Sequence, residues 1–270
     1  MPSFSSDGFP ITYLDVAPSD TAPSARAFPI LLIHGFASNH RVNWVDTAWT
    51  RTLAAAGYRV IAMDNRGHGQ SGTSPDPADY AAKTMAEDAR RLLDHLGIST
   101  AHVMGYSMGA RISAFLAMAH GDRVSSVTFA GLGINMIKGL GGSDEIAAAL
   151  EAPSAADVSV PWAKMFRVFA EQTKSDLPSL AACIRSSRDP ISADAIATLR
   201  MPVLVAVGTD DTVAGSGPEL AAIIPTARAF EIVGRDHMKA VGDQSYKDEV
   251  LAFLATVEAE AIGEAPANDI

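Results

Sequence analysis

A chain of 270 residues with 48% apolar and 19% charged residues has ample material for a sizeable core and too ordinary a composition for disorder. Its net charge of −10, without any cluster of Lys or Arg, excludes nucleic acid as an expected partner. The single cysteine, Cys183, rules out an intramolecular disulfide and reads as a small buried filler.

The opening "MPSFSSDGFPITY" lacks the basic start and long apolar core of a signal peptide, and no apolar run is long enough to span a membrane. The expectation is therefore a cytoplasmic protein with no membrane partner. "PSFSSDGFPITYLDVA" predicts a strand, a Ser-Asp-Gly turn and a second strand. "FPILLIHGF", "YRVIAMD", "AHVMGY" and "VSSVTFAGL" predict four buried strands in turn, and "MPVLVAVG" and "RAFEIVG" two more further on. Helical patterns fill the gaps. In "TMAEDARRLLDHLG", Met85, Ala89, Leu92, Leu93 and Leu96 recur at helical spacing and Gly97 supplies the stop. "DEVLAFLATVEAE" closes the fold. Near-continuous apolar strands alternating with helices predict an α/β fold, a mostly parallel central sheet covered by helices on both faces.

The alternation breaks over residues 133–199, which hold glycines, prolines and short helical pieces but no convincing strand. This segment is expected to be a helical cap inserted into a core of residues 1–132 and 200–262, followed by a frayed tail over 263–270. Its clearest piece, "PWAKMFRVFAE", sets Trp162, Met165, Phe166 and Phe169 on one face and Lys164, Arg167 and Glu171 on another. Trp162, Met165 and Phe166, together with Met238, are candidate pocket residues.

One stretch interrupts the apolar logic. In "VMGYSMGAR" a lone hydroxyl, Ser107, sits between a strand and a helix with Gly105 and Gly109 two residues to either side. Glycines at that spacing relieve backbone crowding on a tight strand-to-helix turn. The hydroxyl then projects above the carboxyl end of the sheet at a helix N-terminus, where developing negative charge is favoured. A serine nucleophile needs a base, and the base an orienting acid. Among the histidines, His237 alone follows residue 120, just after the last strand, while Asp210 and Asp211 follow the preceding one. Strand-end loops on one edge of a parallel sheet converge, so serine, acid and histidine can meet there.

With "HGF" (34–36), "DNRGHGQSG" (64–72), "GYSMGA" (105–110), "GTDD" (208–211) and "DH" (236–237) in order, the chain resembles an α/β-hydrolase outside its cap and tail. The resemblance implies that Ser107 is the nucleophile, His237 the base and Asp211 the acid, with the backbone N–H groups of Phe36 and Met108 as the oxyanion hole. No His-Glu-x-x-His motif and no cysteine pair exist, so no metal site is expected, and no cofactor is expected either. A serine at the elbow argues against the alkyl-enzyme chemistry of dehalogenases and epoxide hydrolases, which uses a carboxylate there. The expected reaction is hydrolysis of small to medium hydrophobic carboxylic esters through an acyl-enzyme. The alternatives are a carbon–carbon bond hydrolase, a cofactor-free haloperoxidase or perhydrolase, and a ligand receptor that retains the triad. Ala110 stands where many members carry a third glycine, and Asp236 where a small residue is usual, which adds a negative charge near the base.

Two further features are weighed against the same frame. "GHGQSG" (67–72) matches a dinucleotide fingerprint, but the prolines of "TSPDPADY" oppose a helix at the third glycine, so a structural loop is expected. His34 is expected to shape the turn that presents Phe36. Asn39 and Trp44 are read either as pocket residues or as a capped, buried helix start.

Overall fold

The computed structural model describes residues 1–261; the expected tail over 263–270 lies outside the described residues. Eight strands form one sheet in the order β1-β2-β4-β3-β5-β6-β7-β8. They are β1 (Ser3–Ser6), β2 (Phe9–Val16), β3 (Ile30–Ile33), β4 (Val60–Met63), β5 (Ala101–Tyr106), β6 (Val124–Ala130), β7 (Val203–Gly208) and β8 (Ala227–Ile232). β1 and β2 form an antiparallel hairpin, and β2 joins β4 antiparallel; every later pairing is parallel.

The central strands are buried and mostly apolar on both faces because alternate residues serve two different layers. Leu31, Ile33, Val103, Val203 and Val205 pack against α2 (Ala82–His95) and α3 (Met108–Ala119). Ile30, Leu32, Met104, Leu204 and Ala206 face the other way, against α1 (Trp49–Ala55) and α10 (Gln244–Ala261). Full burial of one such leucine or isoleucine contributes about 1.5–3 kcal/mol. Met85, Ala89, Leu92 and Leu93 form the buried stripe of α2.

The chain leaves β3 toward β4 on one side of the sheet, then returns to β5 on the other side of β3. The segments after β3 and β5 lead to helices on opposite faces, so a crevice opens between their carboxyl ends, the usual place for a site in such sheets. Between β6 and β7 lie α4 (Asn135–Lys138), α5 (Ser143–Glu151), α6 (Pro161–Gln172), α7 (Leu177–Ser186) and α8 (Ala193–Ile196); α9 (Gly217–Ala221) follows β7. Met136, Ile191, Ile196 and Leu199 belong to the main core. Helices α5–α7 instead build a small core of their own from Ile146, Leu150, Ala170, Leu180 and Ile184, closed by Ala37 and flanked by Phe36 and Phe166. Thr173, at the end of α6, donates its hydroxyl to the Ala37 carbonyl (2.9 Å). Among the described residues, no helix is long and apolar enough to cross a membrane.

The orientation of α6 differs from the expectation. Its buried face is Ala163, Arg167 and Ala170, with Phe166 partly covered, while Trp162 and Met165 stand 43% and 65% exposed. The two alanines allow close approach to α5. Arg167 fills the rest of the face by donating to the terminal carbonyls of α5, those of Ala149, Leu150 and Ala152 (3.1, 3.0 and 2.6 Å). A guanidinium at a helix C-terminus satisfies carbonyls that have no partner within the helix and sits well in its dipole.

Candidate active site

Ser107 occupies the turn between β5 and α3 with φ +55° and ψ −112°, a backbone conformation that side chains rarely adopt and that costs of order 1–3 kcal/mol. The fold holds it there by close packing on both sides. A Cβ on Gly105 would lie 2.2 Å from the Gly109 carbonyl oxygen, and one on Gly109 would lie 1.9 Å from that of Ile33. The Ser107 N–H donates to Ala130 O (2.7 Å), tying the turn to the end of β6.

The structure brings Ser107, His237 and Asp211 together. His237 Nε2 lies 3.1 Å from Ser107 Oγ, and His237 Nδ1 lies 2.7 Å from Asp211 Oδ2. The Asp211 side chain is fully buried, and its other oxygen accepts the N–H groups of Val213 and Ala214 (2.8 and 2.9 Å). An ionised carboxylate so placed makes Nδ1 the protonated nitrogen and leaves the Nε2 lone pair facing the hydroxyl. Asp210 is exposed and engages the Thr209 hydroxyl (3.2 Å). Asp236, the suspected extra charge near the base, instead caps its own turn. It accepts the N–H groups of Met238 and Lys239 (3.1 and 2.9 Å) and pairs with the Lys239 ammonium (3.3 Å). Those partners, the Lys239 N–H first, hold its carboxyl below the ordinary range.

Tyr106, a residue that sequence reasoning missed, braces His237. Its hydroxyl donates to the His237 carbonyl (2.6 Å) and its ring lies 5.6 Å from the imidazole. Burial, with the Asp211 charge adding, holds the phenol well above its ordinary value, so it stays a donor. The signal was its place at the end of β5, one residue before the elbow serine.

Among the described residues, the N–H groups of Phe36 and Met108 have no hydrogen-bond partner. Both residues line one small cavity with Ser107 and His237. His34 braces the Phe36 turn. Fully buried, it accepts the Asn65 N–H at Nε2 (3.0 Å) and donates Nδ1–H to Gly35 O (2.8 Å), and burial lowers its pKa. Asn39 caps the turn that follows by accepting the Val42 N–H (2.9 Å), and Trp44 is core, so neither belongs to the pocket. The "GHGQSG" loop closes on itself through Gly67 N–H to Gly72 O (2.8 Å), and α2 starts only at Ala82. Cys183 is buried beside Met108 (sulfur to sulfur 3.8 Å), and burial pushes its thiol up to about 12.

The cavity measures about 40 Å³. That is space for roughly three waters, or a group of three or four heavy atoms. Phe166 reaches it; Trp162, Met165 and Met238 do not, which corrects the sequence expectation for these three. The rotation of α6 turns Trp162 and Met165 outward, and Met238, in the turn that Asp236 caps, is 56% exposed. Two residues not singled out in the sequence, Arg111 and Arg188, line the cavity. For Arg111 a signal existed: it stands four residues after Ser107, one helical turn along α3 on the same face.

Residues 29–182, more than half of the chain, match the family described as alpha/beta hydrolase fold. The chain is an α/β-hydrolase. The hydrolase is 34% identical over 126 residues to a Mycobacterium tuberculosis protein named Epoxide hydrolase B, a match covering 44% of this chain and 34% of that one. Among solved structures it resembles a hydrolase from Pseudomonas aeruginosa, with a TM-score of 0.75 and 26% identity over 94% of this chain and 97% of the other. An esterase from Exiguobacterium antarcticum shares the fold at a TM-score of 0.73 and 18% identity, covering 93% and 96% of the two chains. The hydrolase thus matches about a third of the length of its curated relative, but nearly all of the two solved structures.

Proposed function

We propose that this hydrolase cleaves carboxylic esters through an acyl-enzyme on Ser107. The observation that carries the reading is the hydrogen-bonded chain from Ser107 Oγ through His237 to the buried Asp211 carboxylate. Ser107 Oγ attacks the carbonyl carbon while His237 Nε2 takes its proton. The carbonyl oxygen becomes an oxyanion, received by the free N–H groups of Phe36 and Met108; one such donor is typically worth about 3 kcal/mol. His237 returns the proton to the leaving alcohol oxygen as the bond to carbon breaks. Water, deprotonated by His237, then attacks the acyl-enzyme and frees the acid and Ser107.

Serine at the elbow supports acyl over alkyl chemistry, although the curated relatives include proteins named as an epoxide hydrolase and a fluoroacetate dehalogenase. Helices α5–α7, within the insert 133–199, act in this reading as the cap over the acyl group. The test is labelling by an aryl fluorophosphonate together with turnover of a short aryl ester. Label should map to Ser107, and Ser107→Ala should lose roughly 10⁴–10⁶ in kcat while remaining folded. Label on another residue, or near-normal activity in the variant, overturns the proposal.

A further inference from the structure

Arg111 and Arg188 both line the cavity that holds Ser107, and neither forms an ion pair among the described residues. Every donor contact they make goes to a neutral oxygen. Arg111, only 2% exposed, gives Nη1 to the carbonyls of Met136 and Asp189 (3.0 and 2.6 Å) and Nη2 to that of Asn135 (3.3 Å). Arg188 gives Nη1 to Leu140 O, Gly141 O and Ser143 Oγ (3.1, 2.5 and 3.2 Å). Its Nε and Nη2 donate to nothing among the described residues. That pair of N–H groups forms one straight edge of the guanidinium, the edge that receives a carboxylate through two parallel hydrogen bonds. Asp189, whose charge reaches Arg111, is engaged with the Ala82 N–H (3.0 Å).

Two guanidiniums beside one cavity with no ion pair between either of them and a carboxylate are costly, because each loses water and repels the other, and the Asp189 charge offsets this only for Arg111. Burial and the Arg188 charge push Arg111 down to about 10, and burial lowers Arg188 as well. In a chain of net charge −10, such an unbalanced cationic pocket stands out from its surroundings. An anion in the cavity would relieve both effects.

We propose that the substrate is an ester whose acyl group ends in a free carboxylate, held by the Nε–Nη2 edge of Arg188 with Arg111 adding its charge. The inference rests on the ester-hydrolase reading for this same site. Assignment to the acyl side follows from the order of events: the alcohol must leave while the acyl group stays on Ser107, so the enclosed end belongs to the acyl chain. The cavity, with room for three or four heavy atoms, restricts that chain to about one carbon between carbonyl and carboxylate.

The experiment compares mono-4-nitrophenyl malonate with neutral 4-nitrophenyl propionate on wild type, Arg188→Gln and Arg188→Lys. Wild type should favour the anionic ester by at least about tenfold in kcat/KM. Arg188→Gln should lower that ratio by roughly 10–100-fold, and Arg188→Lys should retain part of it. A wild-type ratio at or below one, or a ratio unchanged in Arg188→Gln, overturns the proposal. If neither ester is hydrolysed, the ester reading has failed separately, and free malonate decides the carboxylate site. Millimolar malonate should raise the unfolding temperature of wild type and leave that of Arg188→Gln unmoved. No shift in wild type, or equal shifts in both, refutes the site.

Discussion

Replacing Asp211 by asparagine separates the roles of three neighbouring acids. One oxygen of Asp211 accepts two backbone N–H groups and the other accepts His237 Nδ1. An asparagine can keep only one of these arrangements. With its oxygen toward Val213 and Ala214, its NH₂ meets Nδ1 and forces the proton onto Nε2, which then cannot accept from Ser107. With the amide flipped, the NH₂ faces two buried N–H donors. Either outcome removes the correct tautomer and the charge that stabilises the imidazolium. The expected loss is roughly 10⁴ in kcat, about 5.5 kcal/mol of barrier. Asp210→Asn removes only an exposed contact to Thr209 and should stay within roughly threefold of wild type. Asp236→Asn, which still caps its turn, should also be mild. The assay is steady-state turnover of a short aryl ester, with thermal unfolding as the check on folding. A loss under tenfold for Asp211→Asn, or a larger loss for Asp210→Asn, refutes the reasoning.

Two other outcomes follow from the same geometry. Phe166→Ala should enlarge the cavity and raise kcat/KM for a bulkier acyl group relative to acetyl by at least about tenfold; an unchanged acyl-length profile would reduce Phe166 to packing. His68 is buried, and burial, with the His34 charge adding, lowers its pKa from 6.5 to about 3. The unfolded chain therefore binds this proton below pH 6.5 while the folded chain refuses it down to about 3, so stability is full above that window and falls as pH drops through it. From pH 7 to pH 5 the loss is about 2 kcal/mol. His68→Asn, measured by urea unfolding at both pH values, should remove that part of the slope, and an equal slope in the variant would refute the assignment.

The sheet was legible because a strand buried on both faces shows as an unbroken apolar run, as in "ILLI" and "VIAM". The elbow was legible because backbone crowding at Ser107 leaves a local signature, glycine two residues to either side. What failed was the face of α6. Periodicity weighs side chains by apolarity, so it ranked Trp162 and Met165 above Ala163 and Ala170 and grouped Arg167 with Lys164 and Glu171 on another face. The burial of Arg167 depends on where α5 ends, which no local pattern around residue 167 records. Arg188 was missed for the same reason: its place at the cavity is set by tertiary packing of the insert.

Helices α5–α7 and the Phe36–Ala37 loop, the proposed cap and oxyanion loop, share a core. Ala37 closes the cluster built by α5–α7, Phe36 lies against Phe166 with ring centres 6.1 Å apart, and Thr173 grips the Ala37 carbonyl. On the proposed mechanism, the lid and one wall of the reaction chamber are thus joined through packing. Lifting the lid to admit a larger molecule would then draw the Phe36 N–H away from the position where it meets developing charge. A bulky substrate would be penalised in turnover as well as in affinity, because the door would not stand ajar with the chamber fully assembled.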